Sequence, residues 1–378
     1  MKICVLTLSR SHECAECLYN LQDVGLGKAF AELGHATNVI RLEKRVSPDV
    51  VERYNNLLTI SHFNVFAIGG NSIGIGKYLP SDIDVMICFS DIQISFFQVY
   101  RHCKKNNIVL IPYVGVLTSH STNPIKRFFM HMVEKRNLKL YRALAVCAKT
   151  ESVKKELVKK NVKNVVVAPV CLDNKEKNVL DVSNDLRESL RNLIVPSYSQ
   201  HCKVIIFVGR MLEEKRPLEA LEIFYDLFRK DDSYRLIMVG SGPLRGNVKS
   251  FISNRKLDNV IALQENIPNK DMWKYYVSAD CSLNLNRVEI FGMSILEAMY
   301  YECPVVAFAA PGPKMIISDK IDGYLFDDAE NVENLVEIAL SNGRLSKAKK
   351  TIETRFMWIN TAKIILQQVE LLRKINET

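Results

Sequence analysis

No stretch of this 378-residue chain approaches the ~18 uninterrupted apolar residues that a membrane-spanning helix needs. The opening MKICVLTLSR turns polar too early for a signal peptide and reads as a first β-strand. A disulfide framework is also missing. The 10 cysteines are scattered from Cys4 to Cys303, as expected of reduced thiols in a cytoplasm. Cys14 and Cys17 form a lone CxxC with no second pair, which argues against zinc. No GxSxG or kinase signature occurs. The GGNSIGIGKY stretch from Gly69 falls short of a Walker loop, because Asn71 and Tyr78 occupy required glycine and Ser/Thr places. What remains is ordinary: 48% hydrophobic and 25% charged residues, which excludes disorder, collagen-like and coiled-coil architectures. At ~150 residues per domain the length suggests two or three domains. The expectation is a soluble cytoplasmic protein.

Charge is unevenly placed. Residues 1–175 hold 24 Lys and Arg against 14 Asp and Glu, whereas residues 176–378 hold 27 against 28. Between Lys126 and Lys163 there are 12 basic side chains and three acidic ones. Nucleic acid, an anionic membrane surface or a phosphorylated substrate would suit such a patch, as would a merely solvated face. From Pro124 onward, Phe128, Phe129 and Met132 alternate with Lys126, Arg127, Lys135 and Arg136. A helix with apolar and basic faces can lie on an anionic membrane, giving a peripheral contact through residues 126–163. The alternative is a buried apolar stripe with solvated lysines.

Short β-branched runs alternate with amphipathic stretches. The strands expected in the first half are Lys2–Leu8, Asn38–Leu42, Asn64–Ile68, Asp84–Phe89, Ile108–Tyr113, Ala143–Cys147 and Val165–Ala168. A polar stretch without strand pattern then runs from Asp173 to Ser199. The rhythm restarts with Val204–Val208, Arg235–Val239, Val260–Leu263, Cys281–Leu285, Pro304–Ala307 and Tyr324–Phe326. Leu218, Leu221, Phe224, Leu227 and Phe228 form one helical stripe between two of these. Strand–helix–strand repetition implies parallel sheets covered by helices on both faces, hence two Rossmann-like domains facing a central cleft. The expected boundaries are 1–172 for the first domain, 173–202 for a linker, and 203–350 for the second domain. Residues 351–378 form a C-terminal helix crossing back to the first domain, with Phe356, Ile359, Ala362, Ile365 and Val369 on one face.

The sharpest motif is RVEIFGMSILEAMYYECPVVA, residues 287–307. Glu289 and Glu297 are eight residues apart, which on one helix would put them about 80° off a common face. Gly292 also argues against an unbroken helix. Glu289 therefore belongs to the loop after strand Cys281–Leu285 and Glu297 to the first turns of the helix that follows. The start of that helix, at Met293 and Ser294, offers unpaired amides and a positive dipole end to a phosphate. Two carboxylates flanking it suit the vicinal hydroxyls of a sugar or ribose. Arg210 and Lys215 follow the strand that ends in Phe207–Val208–Gly209. A guanidinium and an ammonium there suit a diphosphate, although they could instead pair with Glu213 and Glu214.

The second half resembles the donor domain of the retaining glycosyltransferases of family 4, which have the two-domain GT-B fold. The matching stretches are VGRMLEEKRPLEAL, RLIMVGSGPLRGNV, YYVSAD, EIFGMSILEAM with PVVA, DGYLF and RFMWINTAKIIL. The first half matches more loosely, through MKICVLTL, GLGKAFAELGHATNVI, IPYVGVLTSH and PVCLD. The resemblance implies that residues 1–172 bind the acceptor and 203–350 the donor, that Arg210 and Lys215 clamp the donor's diphosphate with help from the amides of Met293 and Ser294, and that Phe291 and Gly292 belong to the same donor-binding set. It implies that Glu297 holds the ribose, Glu289 the donor sugar, and that Ile267 lies near the nucleobase. His120 would contact the donor sugar from the first domain. No metal is expected, so the DxD at Asp82–Ile83–Asp84, a metal motif in the other large glycosyltransferase fold, reads as a decoy. Glu302 replaces the family's usual glycine, Pro311–Gly312–Pro313–Lys314–Met315 replaces a paired glycine with a glutamate, and the Ser9–Asn20 loop lacks another glycine pair.

Together these imply a retaining transfer of a hexose or N-acetylhexosamine from a nucleotide sugar, a UDP-sugar, to a glycan or lipid-linked acceptor. No nucleic-acid partner is expected. The alternatives are an inactive partner subunit of the same fold and a nucleotide-sugar 2-epimerase.

Overall fold

A computed structural model describes residues 1–11, 21–43, 49–68, 70–118, 123–173, 183–328 and 331–377. The chain forms two compact units. The first contains the N-terminal strand, Leu21–Asp173 and Trp358–Thr378; the second contains Asn174–Met357.

The first unit is built on β1 (Lys2–Ser11), β2 (Ala36–Glu43), β3 (Val50–Arg53), β4 (Leu58–Asn64), β5 (Phe66–Ile68), β6 (Asn71–Ile73), β7 (Val85–Phe89), β8 (Val109–Val114), β9 (Val146–Ala148) and β10 (Val165–Val167). Its main order is β10-β9-β8-β7-β1-β2-β4-β3. The wholly parallel sheet expected from the sequence is here a mixed one. β3 runs antiparallel to β4, and the small β5/β6 hairpin joins β1 through the pair Ser9↔Asn71. β3 gives no apolar signal because it is an edge strand with three of its four residues exposed. What makes the β3/β4 turn is the Asn55 side chain, whose Oδ1 accepts from the amides of Leu57 and Leu58 at 2.8 and 2.7 Å. The expected strand Asn64–Ile68 is divided at Val65, with its second part exposed at Phe66 and Ile68.

The second unit has six parallel strands: β11 (Lys203–Val208), β12 (Tyr234–Val239), β13 (Ile261–Gln264), β14 (Cys281–Asn284), β15 (Val305–Phe308) and β16 (Tyr324–Phe326). Their order is β13-β12-β11-β14-β15-β16, the doubly wound arrangement of a Rossmann sheet. The strands read as continuous apolar runs because helices cover both faces. One of those helices, Pro217–Lys230, buries Leu221, Phe224 and Leu227 of the expected stripe, while Leu218 and Phe228 are half-buried at its edges. Each unit has its own apolar core, around Leu6, Met86 and Val114 in the first and around Phe207, Phe224 and Leu283 in the second.

Two stretches differ from their sequence reading. The polar region expected as a linker contains a helix, Asn184–Ile194, capped by the Ser183 hydroxyl at the Leu186 amide. Arg187 and Arg191 on this helix reach Asp280 at 2.6 and 2.5 Å and also bond the carbonyls of Val277, Ser278 and Ala279. Two arginines sharing one carboxylate and three carbonyls tie the polar helix to the second unit, which a pattern of apolar residues cannot announce. The single C-terminal helix is two, Ser346–Arg355 and Trp358–Glu377. The break falls at Phe356, which leaves helical geometry (φ −124°, ψ 31°) and is buried edge-on against Phe291. The second of these helices buries Ala362, Ile365 and Val369 against the first unit's helix Gln22–Glu32. At that contact Gly25 leaves no room for a side chain, since a Cβ would lie 2.3 Å from the Trp358 indole nitrogen.

All eight described cysteines are unpaired and buried. Burial pushes the thiols of Cys103, Cys147, Cys171 and Cys303 up to about 12, so they pack as small apolar groups. Cys14 and Cys17 lie outside the described residues. No helix among the described residues is long and apolar enough to cross a membrane.

Helix Met293–Tyr300 ends in a Schellman motif. The Cys303 amide bonds the Ala298 carbonyl at 2.9 Å, and the Glu302 amide bonds Met299 at 3.0 Å. This forces Glu302 to φ +58°, a conformation that costs an L-residue on the order of 1 kcal/mol and that glycine takes freely. Glu302→Gly should therefore stabilise the protein by about 0.5–1 kcal/mol, read as a rise in thermal midpoint of a few degrees. An unchanged or lower midpoint would mean that the Glu302 side chain makes compensating contacts.

Candidate active site

In a doubly wound sheet the strand order reverses between two neighbouring strands, and their carboxyl ends flank a crevice. Here those strands are β11 and β14, paired through Ile205↔Cys281 and Ile206↔Ser282. The residues that follow each are the ones the sequence singled out.

After β11 the chain runs Gly209–Arg210–Met211 beneath the turn that follows β12. The backbones interlock: Met211 donates to the Ser241 carbonyl at 2.8 Å, and Leu244 donates to the Met211 carbonyl at 3.0 Å. Gly240 (φ +151°) permits this approach, since a Cβ there would fall 1.9 Å from the Gly209 carbonyl oxygen. A single turn, Glu213–Lys215, then aims the Lys215 side chain away from its own loop. It reaches Glu289, Nζ to Oε2, at 2.5 Å. Of the pairings expected nearby, only Arg210 approaches an adjacent acid, Glu214, at 4.0 Å, and its side chain is 63% exposed.

After β14 the chain turns through Leu285–Asn286–Arg287. Asn286, 4% exposed, ties this turn together: its Oδ1 accepts from the Val288 amide at 3.1 Å. Its Nδ2 donates to Glu289 Oε2 at 3.1 Å. One oxygen of Glu289 thus receives both an ammonium and an amide hydrogen. Charge-assisted bonds of this sort are roughly twice as strong as neutral ones. The loop is held from the other side by Gly312, whose amide donates to the Glu289 carbonyl at 2.8 Å. The sequence reading passed over Asn286 and the role of Gly312. A buried asparagine just past an apolar strand was the available signal for the first.

Helix Met293–Tyr300 begins at Gly292, which is buried and takes φ +103°. No side chain caps it, so the first-turn amides of Met293 and Ser294, both partly exposed, can serve an acceptor from outside. Glu297 lies in the second turn and is only 6% exposed. Its Oε1 accepts from Asn269 Nδ2 and its Oε2 from the Tyr276 hydroxyl, each at 3.0 Å. The Tyr276 phenol is pushed well above its usual range by burial and by the Glu297 charge. Ile267 is half-buried in the loop after β13, two residues before Asn269. Phe291 is half-buried against Phe356. His120 lies outside the described residues.

The second unit therefore brings together Lys215, Glu289, Asn286 and the open helix start at one sheet edge, with Glu297 set deeper beside them. The DxD is used structurally: Asp84 accepts from the Lys2 amide at 2.7 Å and Asp82 from the Lys2 ammonium at 2.6 Å. Both lie in the first unit.

Each unit is an α/β Rossmann-like domain, and this pairing of domains is the GT-B fold of glycosyltransferases. Residues 198–356 match the family of glycosyl transferases group 1. The match covers most of the second unit. A glycosyltransferase from Rickettsia africae has the same fold, with a TM-score of 0.70 and 17% identity over 98% of this chain and 99% of that one. A second solved structure, HepE of Anabaena in complex with UDP and glucose, gives a TM-score of 0.66 and 16% identity over 97% and 99%. Among curated proteins, the alpha-monoglucosyldiacylglycerol synthase of Streptococcus pneumoniae is 27% identical over 124 residues, 33% of this chain. The match spans only 28% of that relative's length.

The Gly312 contact can be tested directly. A Cβ there would fall 2.4–2.7 Å from the Phe291 backbone, so Gly312→Ala must push the Glu289 loop aside. Overpacking of this kind costs about 1–3 kcal/mol. A clear fall in thermal midpoint is expected, and an unchanged one would show that the loop has slack.

Proposed function

We propose that this protein is a retaining glycosyltransferase that moves a hexose or N-acetylhexosamine from a UDP-sugar to a hydroxyl of a glycan or lipid-linked acceptor. The observation that carries the reading is the Lys215–Glu289 pair at 2.5 Å beside an uncapped helix start. A cation and an anion side by side suit the negative phosphates and the electron-poor anomeric carbon of a nucleoside diphosphate sugar. The family match of residues 198–356 and the pneumococcal relative, named an alpha-monoglucosyldiacylglycerol synthase, support the transfer and its kind of acceptor. The UDP and glucose of the Anabaena structure support the donor class.

In this reading the amides of Met293 and Ser294 and the Lys215 ammonium take the charge that grows on the leaving phosphate. Arg210, exposed and only loosely paired, swings onto the diphosphate when the donor arrives. The bond from the anomeric carbon to the phosphate oxygen breaks, and the acceptor oxygen attacks from the same face. The acceptor proton passes to the departing phosphate oxygen, which keeps the anomeric configuration and leaves UDP. Glu289 faces the positive charge that develops on the sugar, and Asn286 and Lys215 fix its orientation. Glu297 takes the ribose hydroxyls. Lys215, Arg210 and the helix start supply the positive charge here, so the transfer is read as metal-independent.

Removing one preorganised donor from a developing anion typically costs a factor of about 10²–10³ in turnover. Lys215→Ala should thus cut turnover at least tenfold while circular dichroism stays that of the wild type; near-normal turnover would remove the lysine from the mechanism. The donor class is read by calorimetric titration of UDP, GDP and ADP into wild type and Glu297→Gln. The amide keeps the shape of the buried carboxylate, whereas alanine would strand the Tyr276 hydroxyl. Micromolar binding of UDP alone, weakened in the variant, is the expected result. An absence of binding by all three nucleotides would favour an inactive partner, and conversion of the donor with no sugar released would favour an epimerase.

A further inference from the structure

We propose that the outward face of helix Pro124–Tyr141 in the first unit docks this protein on an anionic lipid bilayer. The helix is firmly started, with proline in its first turn and the Asn123 side chain accepting from the Lys126 amide at 3.1 Å. Its buried residues are Glu134, Asn137, Leu138 and Tyr141. At about 100° per residue these fall within one arc of roughly 100°. Ile125, Phe128, Phe129 and Met132 fall within an arc of about the same width on the opposite side. They are 69, 65, 61 and 55% exposed. The sequence alternative of a buried apolar stripe is thus reversed, since the core-facing side is the more polar and the large apolar side chains are outside.

Charge identifies the occupant. Lys135 and Lys139 are exposed beside or on this apolar face, and Lys126 and Arg127 are exposed in the helix's first turn. The helix has a single acid, Glu134, which is buried and bonded to Lys160 Nζ at 2.7 Å. The outer side of this helix therefore presents hydrocarbon beside positive charge, with no acid of the helix itself among it, the pattern of an interfacial helix. A second copy of the chain would bring like charges together. A nucleic acid would meet the charge but offer no hydrocarbon for four aliphatic and aromatic side chains.

The test uses the full chain, without donor or acceptor, so its outcome is independent of the transferase reading. Vesicles of phosphatidylcholine, with or without a minority of phosphatidylglycerol, are sedimented with the protein at low and high salt. Anionic vesicles should bind at least about tenfold more tightly than neutral ones at low salt, and the difference should shrink at high salt. Phe128→Ser combined with Phe129→Ser should weaken that binding at least tenfold with an unchanged thermal midpoint, because both rings are mostly in solvent. Lys135→Glu combined with Lys139→Glu should remove the preference for anionic lipid. Equal binding to neutral vesicles, or an apolar double variant that binds like wild type, would overturn the proposal. So would a concentration-dependent dimer, seen by sedimentation velocity, that the apolar double variant dissolves.

Discussion

Everything at the candidate site depends on β11 and β14 lying side by side. Their pairing at Ile205↔Cys281 and Ile206↔Ser282 is the one place in the second sheet where consecutive connections leave in opposite directions. Lys215 and Glu289, 74 positions apart in the chain, thereby emerge at the same edge. Lys215 and Glu289 can then meet although each sits in a loop of its own. Glycines serve this meeting where backbones crowd: Gly240 lets the β12 turn lock the exit of β11, and Gly312 lets a neighbouring helix hold the exit of β14. A side chain at either place would displace the loop that carries a charged residue.

The ion pair is a preorganising device rather than a reservoir of stability. Half-buried pairs gain little net energy, because desolvating two charges offsets much of their attraction. What the pair fixes is orientation. Asn286 shares the same carboxylate oxygen, so Glu289 has one oxygen committed and the other left to accept. Glu297 is the opposite case, with both oxygens engaged by Asn269 and Tyr276 and a rigid place in the helix. Arg210, by contrast, is exposed and stands 4.0 Å from Glu214. The two carboxylates eight residues apart thus occupy different environments, one in a loop and one in the second turn of a helix.

The legible parts of this sequence were those with a period. The six strands of the second sheet stand where the apolar runs placed them, since strands buried on both faces carry the strongest signal. The loop position of Glu289 and the helical position of Glu297 followed from their spacing and from Gly292. What escaped was fixed by polar contacts, which have no period. Asn55 makes an antiparallel turn in a sheet read as parallel, Arg187 and Arg191 anchor a helix in a stretch read as linker, and Asn286 holds the loop that bears Glu289. The break at Phe356 escaped for another reason: its apolar neighbours continue the helical stripe, and only packing against Phe291 turns the chain. The outward face of helix Pro124–Tyr141 was half legible. The sequence gives its composition, while the direction in which the phenylalanines point is set by the burial of Tyr141 and Leu138 on the other side.

The departures from the family pattern can be weighed by where they fall. Glu302 sits at the far end of helix Met293–Tyr300 from Gly292, and eight residues of helix at about 1.5 Å each separate the two ends by roughly 12 Å. Its cost is backbone strain in a Schellman turn, which bears on stability and leaves the open amides at the helix start untouched. In the stretch around Met315 the retained Gly312 still supplies the amide that holds Glu289. The close approach there needs the absence of a Cβ, and a single glycine provides it. Neither departure removes a group that positions the lysine, the glutamate or the helix start, so the geometry on which the proposed donor site rests is intact in the second unit.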